Sequence, residues 1–251
     1  MPRSAPSVRP LPFRVLGVVM ALVLIALGAF AAWSRIGVMD AEPEPWQRVL
    51  DDPGISEGRT DAGLVLRPAE DQESVTGLVF QPGAKVAPEA YAARLSSLVT
   101  ELGMTVVIAD PPLHLALLDR RDLDELTADA PEVETWLVGG HSMGGVQACR
   151  LAEDADALML FASYCANDLS STDLPVLSLA GSEDGLSTPE KIAEHRDLLP
   201  QDATLVEIDG ASHASFGDYG TQQGDGTASA DDAAVDAAIE EAVAQLLDAA
   251  S

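Results

Sequence analysis

The pentapeptide Gly140-His141-Ser142-Met143-Gly144 places a serine in a turn with glycine two residues before it and two residues after it. The apolar run TWLV at 135–138 suits a β-strand, and residues 144–152 suit a helix. A serine between a strand and a helix N-terminus adopts a strained conformation that exposes its hydroxyl, and the helix dipole stabilises nearby negative charge. We therefore expect Ser142 to be a nucleophile, with the backbone N–H of Met143 binding the developing oxyanion.

A serine nucleophile needs a base, and the chain contains four histidines. For a serine in this kind of turn, the acid and then the histidine follow the nucleophile along the chain. His114 precedes the serine, and His141 lies inside the turn, where its side chain is expected to point away from the hydroxyl. His195 belongs to the charged helical run EKIAEHRDLL and is expected to be solvated. His213 follows the predicted strand TLVEI at 204–208, so it is the expected base.

The acid is expected in the turn Gly181-Ser182-Glu183-Asp184-Gly185, which follows the apolar run PVLSLA. Asp184 is the preferred acid because of its distance in sequence from the end of the strand, and Glu183 is the alternative acid. Asp209 is a further alternative, disfavoured because it lies close to His213 in sequence for orienting its ring. An aspartate that caps the turn before Gly185 would have the same position, so both interpretations remain open.

The second oxyanion donor is expected in the loop that follows the early strand, within Phe80-Gln81-Pro82-Gly83-Ala84. Because Pro82 has no N–H, the backbone of Ala84 is the preferred donor, with Gly83 or Gln81 as alternatives. In the expected reaction, His213 accepts the proton of Ser142 during attack on an acyl carbon. Asp184 fixes the tautomer of the imidazole, and water then releases the acyl-enzyme.

The segments that carry these residues alternate between short apolar runs and longer amphipathic runs, which indicates a mostly parallel sheet with helices on both faces. Strands are predicted at 78–80, 105–109, 135–138, 157–161, 175–179 and 204–208. Helices are predicted at 88–102, 117–129, 144–152, 188–198 and 231–247.

Residues 15–33 contain no charged side chain, and a helix of this length nearly spans the roughly 30 Å hydrocarbon core of a membrane. The preceding segment, residues 1–14, contains Arg3, Arg9 and Arg14, which favour a cytoplasmic N-terminus. We therefore expect a single-pass cell-membrane anchor with the rest of the chain outside the cytoplasm.

A cleaved signal peptide is the alternative, although Ala29-Phe30-Ala31, the nearest candidate cleavage site, falls inside the apolar run. Residues 34–60 are rich in proline and acidic residues and are expected to form a linker that docks through Trp46 and Leu50. The remaining residues, 61–251, suit one globular domain.

The chain has 41 acidic and 14 basic residues among 251 and a formal net charge of -27. Such a charge repels nucleic acid, so no nucleic-acid partner is expected. The two cysteines, Cys149 and Cys165, are too few for a disulfide scaffold, and a single bridge or two buried thiols remain alternatives. The absence of a Cys/His cluster gives no sign of a metal, and no cofactor is expected.

The chain resembles a compact bacterial branch of the α/β-hydrolase superfamily, related to dienelactone-hydrolase-like proteins and of the α/β hydrolase family 5 type. The segments that carry the resemblance are FQPGAKVAPEAYAARL, VVIADPPLHLALLD, VGGHSMGG, LFASYCAND, LAGSEDGLSTPEKI and IDGASHASFGDYGTQQGDGTAS. The resemblance implies an α/β-hydrolase fold, a triad of Ser142, Asp184 and His213, and hydrolase activity. It does not define a substrate.

Only residues 167–174 separate two predicted strands at the place where many hydrolases carry a cap domain, so a site without a cap is expected. His114 and the glycine-rich loop at 216–226 are candidates to border this site. The expected function is hydrolysis of a carboxylic ester or a related acyl bond in a small molecule. The alternatives are a catalytically inactive binding protein of the cell envelope, and a peptidase or carbon–carbon hydrolase.

Overall fold

The computed structural model describes residues 13–69 and 74–250, with side chains from residue 15 onward, in two units, Met1–Gly37 and Val38–Ser251. The described residues of the first unit form helix α1 (Phe13–Arg35), whose segment Val15–Arg35 is long and apolar enough to cross a membrane. This confirms the apolar helix expected over 15–33. The basic segment 1–14 lies outside the described residues, except for the backbone of its last two positions.

The second unit is built on an eight-stranded sheet with the strand order β1-β2-β4-β3-β5-β6-β7-β8. The first two strands are antiparallel to their neighbours, and the other six are parallel. The strands are β1 (Ile55–Arg59), β2 (Gly63–Pro68), β3 (Thr76–Gln81), β4 (Thr105–Ala109), β5 (Thr135–His141), β6 (Ala157–Phe161), β7 (Val176–Gly181) and β8 (Thr204–Ile208). The mostly parallel sheet expected from the sequence is therefore confirmed, and β1 and β2 are additions to it.

Helices cover both faces of this sheet, because the side chains of each central strand alternate between two apolar clusters. In β3, Leu78 and Phe80 belong to the cluster that also contains residues of α3 and α7, whereas Val79 belongs to the cluster of α4 and α5. The helices of this unit are α2 (Pro43–Asp51), α3 (Ser96–Thr100), α4 (Leu123–Thr127), α5 (Met143–Leu151), α6 (Pro189–Glu194) and α7 (Asp232–Ala250). The helix predicted over 88–102 is not continuous. A 3₁₀ turn, Pro88–Tyr91, comes first, and the short helix α3 follows it.

The stretch 34–60, for which the sequence predicts a linker, contains helix α2 and the edge strand β1. Val49 is buried in the core and Trp46 packs against it, but Leu50, the other residue expected to dock, is 42% exposed. Successive residues of a helix point about 100° apart, so the face that buries Val49 leaves Leu50 at its exposed side. Strand β1 has the sequence ISEGR, and its exposed charges, common in edge strands, hide it from a search for apolar runs.

Residues 162–175 connect β6 to β7 as a loop, with no helix or strand among these described residues. A disulfide between Cys149 of α5 and Cys165 of this loop joins the connection to the helix that follows β5. The disulfide decides between the two alternatives that the cysteine count leaves open. The short connection leaves the carboxyl ends of the neighbouring strands without an inserted domain at this position.

Candidate active site

Ser142 lies in the sharp turn between β5 and α5, with φ 53° and ψ -122°. This is an unusual conformation for a residue with a side chain, and such strain is common at functional sites. Two hydrogen bonds from the neighbouring strand β6 and its loop hold the turn. The N–H of Ser142 donates to the carbonyl of Phe161 at 3.0 Å, and the hydroxyl of Ser163 donates to the carbonyl of Ser142 at 2.6 Å. The backbone of the half-buried serine is therefore fixed on both sides.

The glycines that flank this turn have no room for a side chain. A Cβ atom on Gly140 would lie 2.5 Å from the carbonyl carbon of Gly144. A Cβ atom on Gly144 would overlap the carbonyl oxygen of Gln81 and would lie 2.5 Å from that of Pro82. The loop after β3 therefore approaches the first turn of α5 closely, in the position where a second oxyanion donor is expected.

Asp184 and His213 form a buried hydrogen-bonded pair at the carboxyl ends of β7 and β8. The Nδ1–H of His213 donates to Oδ2 of Asp184 at 2.8 Å, and the imidazole is 1% exposed. The other carboxylate oxygen of Asp184 accepts the N–H groups of Leu186 and Ser187, each at 2.7 Å. Because Nδ1 carries the proton in this pair, Nε2 of the same ring is the acceptor.

The two other acidic candidates do not contact this imidazole within the described part of the chain. The backbone N–H of Glu183 donates to the carbonyl of Ala211, and a carboxylate oxygen of Asp209 lies 3.5 Å from the hydroxyl of Ser182. Asp184 is thus the acid that the fold brings to His213.

The imidazole of His213 packs against the ring of His141, the residue before Ser142, with a distance of 4.4 Å between the ring centroids. The candidate base therefore lies next to the serine turn. Among the described residues, however, no hydrogen bond joins the hydroxyl of Ser142 to His213. Hydrogen bonds between catalytic groups are often long in unliganded enzymes and tighten when substrate binds. The serine turn and the acid–base pair are therefore adjacent, with the serine–histidine bond not formed.

Two backbone N–H groups near the serine have no hydrogen-bond partner among the described residues, namely those of Ala84 and Met143. The N–H of Gly83, by contrast, donates to the hydroxyl of Tyr91 at 2.9 Å. In the same loop, the N–H of Lys85 donates to the carbonyl of His114 at 2.7 Å. Ala84 rather than Gly83 thus retains a donor that is available to a ligand.

His141 has a place beside the candidate base that the sequence analysis does not assign to it. Its Nδ1 lies 2.9 Å from the hydroxyl of Tyr91, and its ring is 1% exposed. Burial lowers the pKa of His141 well below 6.5, and electrostatic repulsion from His213 lowers it further. Burial also raises the pKa of Tyr91, so the phenol stays protonated and donates to the neutral imidazole.

Asp225, in the glycine-rich loop after β8, also contacts the site and is not singled out by sequence analysis. Its carboxylate accepts the backbone N–H groups of His213 at 3.0 Å and Ala214 at 2.8 Å. Burial acts to raise the pKa of Asp225, but these hydrogen bonds and those from Gly185 and Gly226 outweigh burial and lower it. An aspartate between two glycines, as in GDG at 224–226, is a weak signal for such a role, because a surface turn has the same composition.

The remaining histidines lie outside the acid–base pair. The residues Leu113 and His114 both have positive φ, 61° and 55°, in the loop after β4. The imidazole of His195 stacks on the ring of Tyr164 with a centroid distance of 4.0 Å, so this half-buried side chain is not simply solvated as expected.

Among the described residues, no group of three or more His, Cys, Asp or Glu side chains is arranged to hold a metal ion.

The chain was compared with models of protein families. The model of the alpha/beta hydrolase family matches residues 77–236, which is more than half of the chain. The matched region contains Ser142, Asp184 and His213, as well as both candidate oxyanion donors. No curated protein matches the chain.

Proposed function

The chain belongs to the α/β-hydrolase family, and from this premise we propose that it is a serine hydrolase that cleaves a carboxylic ester or a related acyl bond. The observation that carries the proposal is the 2.8 Å hydrogen bond between His213 and Asp184, next to the strained turn of Ser142. A nucleophile, an acid and a base in this chain order are the arrangement that serine hydrolases of this fold use.

In the proposed reaction, Nε2 of His213 accepts the proton of the Ser142 hydroxyl while Oγ attacks the acyl carbon. Asp184 holds the imidazole by its Nδ1–H and stabilises the positive charge that forms on it. His213 then donates the proton to the leaving alcohol, and the acyl group remains on the serine. Water attacks the acyl-enzyme with His213 as base, which releases the carboxylic acid and restores the serine hydroxyl.

The negative charge on the acyl oxygen is stabilised, in this proposal, by the backbone N–H groups of Met143 and Ala84. Support comes from the absence of another partner for either N–H among the described residues, while the N–H of Gly83 is already bonded to Tyr91. Removal of one oxyanion donor in other serine hydrolases lowers kcat by about 100- to 1000-fold. Loss of either donor is therefore expected to lower kcat by about this factor.

The expected substrate is a small acyl compound. The loop 162–175 contains no helix or strand among its described residues, so it supplies no cap that would bury a long acyl chain. Contact between substrate and the strained turn is expected to complete the Ser142–His213 hydrogen bond.

We further propose that α1 anchors the chain in the cell membrane, with residues 1–14 in the cytoplasm and the hydrolase domain outside. The apolar segment Val15–Arg35 and the three arginines that precede it support this orientation. The Cys149–Cys165 disulfide also supports it, because disulfides persist mainly in oxidising compartments. Retention of the chain in carbonate-washed membranes with residues 1–14 intact by mass spectrometry is the expected result. A mature N-terminus near residue 32 would instead identify a cleaved signal peptide.

The catalytic proposal is tested on the full-length chain in detergent with a fluorophosphonate probe and p-nitrophenyl acetate. The wild-type protein is expected to take the label and hydrolyse the ester, and Ser142→Ala is expected to do neither. Ser170→Ala is the matched control and is expected to retain both activities. Ser170 is an exposed serine that, within the described part of the chain, hydrogen-bonds to Asp168 alone.

A folded wild-type protein that takes no label would contradict the serine mechanism and favour a non-catalytic binding protein of the envelope. Labelling without hydrolysis of any ester in a chain-length series would point to a peptidase or to a carbon–carbon hydrolase. A panel of peptide and β-diketone substrates separates these two alternatives.

A further inference from the structure

The carboxylate of Asp225 accepts four backbone N–H groups, three of which come from the segments that contain the candidate base and acid. Oδ1 accepts the N–H of Gly226 at 2.7 Å, and Oδ2 accepts the N–H of Ala214 at 2.8 Å. Oδ1 also accepts the N–H of His213 at 3.0 Å and the N–H of Gly185 at 3.1 Å. One side chain therefore joins the backbone of the base to the residue that follows the acid.

The close approach of these two loops also requires glycine at positions 185 and 226, because a side chain at either position would clash with the facing backbone. A Cβ atom on Gly185 would lie 2.7 Å from the nitrogen of Gly226 and 2.9 Å from the carbonyl oxygen of Gly224. A Cβ atom on Gly226 would overlap the carbonyl oxygen of Glu183. Residues 224–226 therefore pack directly on the loop that contains Asp184, which brings the Asp225 carboxylate within reach of both loops.

We propose that Asp225 is a positioning residue that holds His213 and Asp184 in their hydrogen-bonded pair. The proposal rests on the proposed serine hydrolase function and adds a residue that does not touch the reacting atoms. The backbone N–H of His213 is bonded to Asp225, and its side chain is bonded to Asp184. Loss of the Asp225 carboxylate releases the backbone of His213 and of Gly185 together, so the base and the acid lose a shared support.

The consequence for catalysis follows from the sensitivity of such pairs to small displacements. A misplacement of about 1 Å in a catalytic group lowers the rate by roughly 100-fold. Asp225→Ala is therefore expected to lower kcat for p-nitrophenyl acetate by about 100-fold with KM changed less than threefold. Asp225→Asn retains Oδ1 as the acceptor of three of the four N–H groups. Its amide NH2 replaces Oδ2 and cannot accept the N–H of Ala214, so a loss in kcat of about 10-fold is expected.

The control is Asp122→Ala, which removes another carboxylate that accepts a backbone N–H, that of Glu125 at the start of α4. This variant is expected to keep the kcat of the wild-type protein. If Asp225→Ala fails to fold, Asp225→Asn carries the test. An Asp225→Asn variant or a folded Asp225→Ala variant with wild-type kcat would overturn the proposal.

A double-mutant cycle distinguishes positioning from a general structural role. If Asp225 acts through the acid–base pair, Asp225→Ala combined with Asp184→Asn is no slower than Asp184→Asn alone. Multiplicative losses in the double variant would overturn the proposal, since Asp225 would then act independently of that pair.

A measurement that does not need activity separates this inference from the proposed function. The Nδ1–H of His213 that bonds to Asp184 is expected to give a low-field proton NMR signal in the wild-type full-length chain. Asp225→Ala is expected to lose or shift this signal, while Asp122→Ala retains it. An unchanged signal in Asp225→Ala overturns the positioning role even if the protein proves to be inactive, whereas a lack of esterase activity alone contradicts only the proposed function.

Discussion

The hydroxyl of Tyr91 lies 2.9 Å from Nδ1 of His141, and it accepts the N–H of Gly83 at the same distance. The phenol thus joins the loop after β3 to the residue before the candidate nucleophile. Because Gly83 is bonded in this way, the neighbouring N–H of Ala84 is the one left for an oxyanion. The buried hydroxyl of Tyr91 therefore determines which N–H group of this loop is available to an oxyanion.

Tyr91→Phe tests that link, since it removes the hydroxyl and leaves the ring in the core. The N–H of Gly83 and Nδ1 of His141 both lose their partner, so the free energy of unfolding is expected to fall by about 1–3 kcal/mol. The kcat for a short ester is expected to fall by about 10-fold with KM unchanged, because the oxyanion loop loses its attachment. Urea unfolding and steady-state kinetics measure the two effects.

Tyr219→Phe is the matched control for stability, because the one partner of the Tyr219 hydroxyl among the described residues is the half-buried side chain of Gln222, at 3.3 Å. Its loss of stability is expected to be smaller than that of Tyr91→Phe. Equal losses in the two variants, or an unchanged kcat in Tyr91→Phe, would show that the bond to Gly83 has no special role.

The buried imidazole of His141 predicts a dependence of stability on pH. Its pKa in the folded state is well below the value of 6.5 for an exposed histidine, first because of burial and then because of His213. Between these two pKa values the unfolded chain binds a proton that the folded chain does not bind, so stability rises with pH and levels off above about 6.5. For one proton, the slope approaches about 1.4 kcal/mol per pH unit.

His141→Gln removes this titration, so the variant is expected to show a shallower rise in unfolding free energy between pH 5 and pH 6.5 than the wild-type chain. The comparison uses urea unfolding at a series of pH values, and the difference between the two proteins cancels the titration of other groups. Above pH 7.5 the difference between the two proteins should stay constant. Parallel curves over the whole range would mean that His141 is not held in its neutral form by the fold.

The residues that the sequence predicts and those that it misses differ in the range of their contacts. Ser142, Asp184 and His213 each follow an apolar strand, so their order and spacing are visible in the sequence, and the fold pairs the last two at 2.8 Å. The core strands are visible for the same reason. Asp225 and His141, however, act through backbone groups and rings brought close by folding, and neither a spacing nor a run of residues marks such contacts.

The two antiparallel strands, β1 and β2, show a different limit of sequence interpretation. Strand β1 (ISEGR) carries charges on an exposed edge and lacks the apolar pattern of a buried parallel strand. Strand β2 (GLVLRP), by contrast, is buried, and its apolar run at 64–66 is a signal that the sequence does contain. Both strands are fixed by pairing with neighbours, through β1 with β2 and β2 with β4. Pairing of this kind is a property of the assembled sheet and not of the local sequence.

The disulfide predicts the redox state of the mature protein and its contribution to stability. Cys149 and Cys165 are separated by 16 residues, and closing a loop of about this size stabilises a fold by about 3 kcal/mol in the chain-entropy account. The double variant Cys149→Ala/Cys165→Ala is expected to lose about this amount in urea unfolding. Reduction of the wild-type protein before unfolding is the control and should reproduce the loss.

The oxidation state of Cys149 and Cys165 in the cell indicates on which side of the membrane the domain lies. If the domain lies outside the cytoplasm, alkylation of the protein in intact cells without reductant should modify neither cysteine, and mass spectrometry should recover the linked peptides. Two alkylated thiols in the native protein would argue for a reducing compartment and against the proposed orientation of the anchor.

Gly144 offers the sharpest test of the close approach between the oxyanion loop and the serine turn. A Cβ atom at this position would overlap the carbonyl oxygen of Gln81, which belongs to the backbone and cannot turn aside as a side chain would. Gly144→Ala is therefore expected to displace the loop that contains Ala84, to lower kcat by at least about 100-fold and to destabilise the domain by about 1–3 kcal/mol. The control is Gly58→Ala in β1, where a Cβ atom would meet no atom within 4 Å, so kcat should not change. Wild-type kcat in Gly144→Ala would show that the loop adjusts freely, and the assignment of Ala84 as the second oxyanion donor would then be wrong.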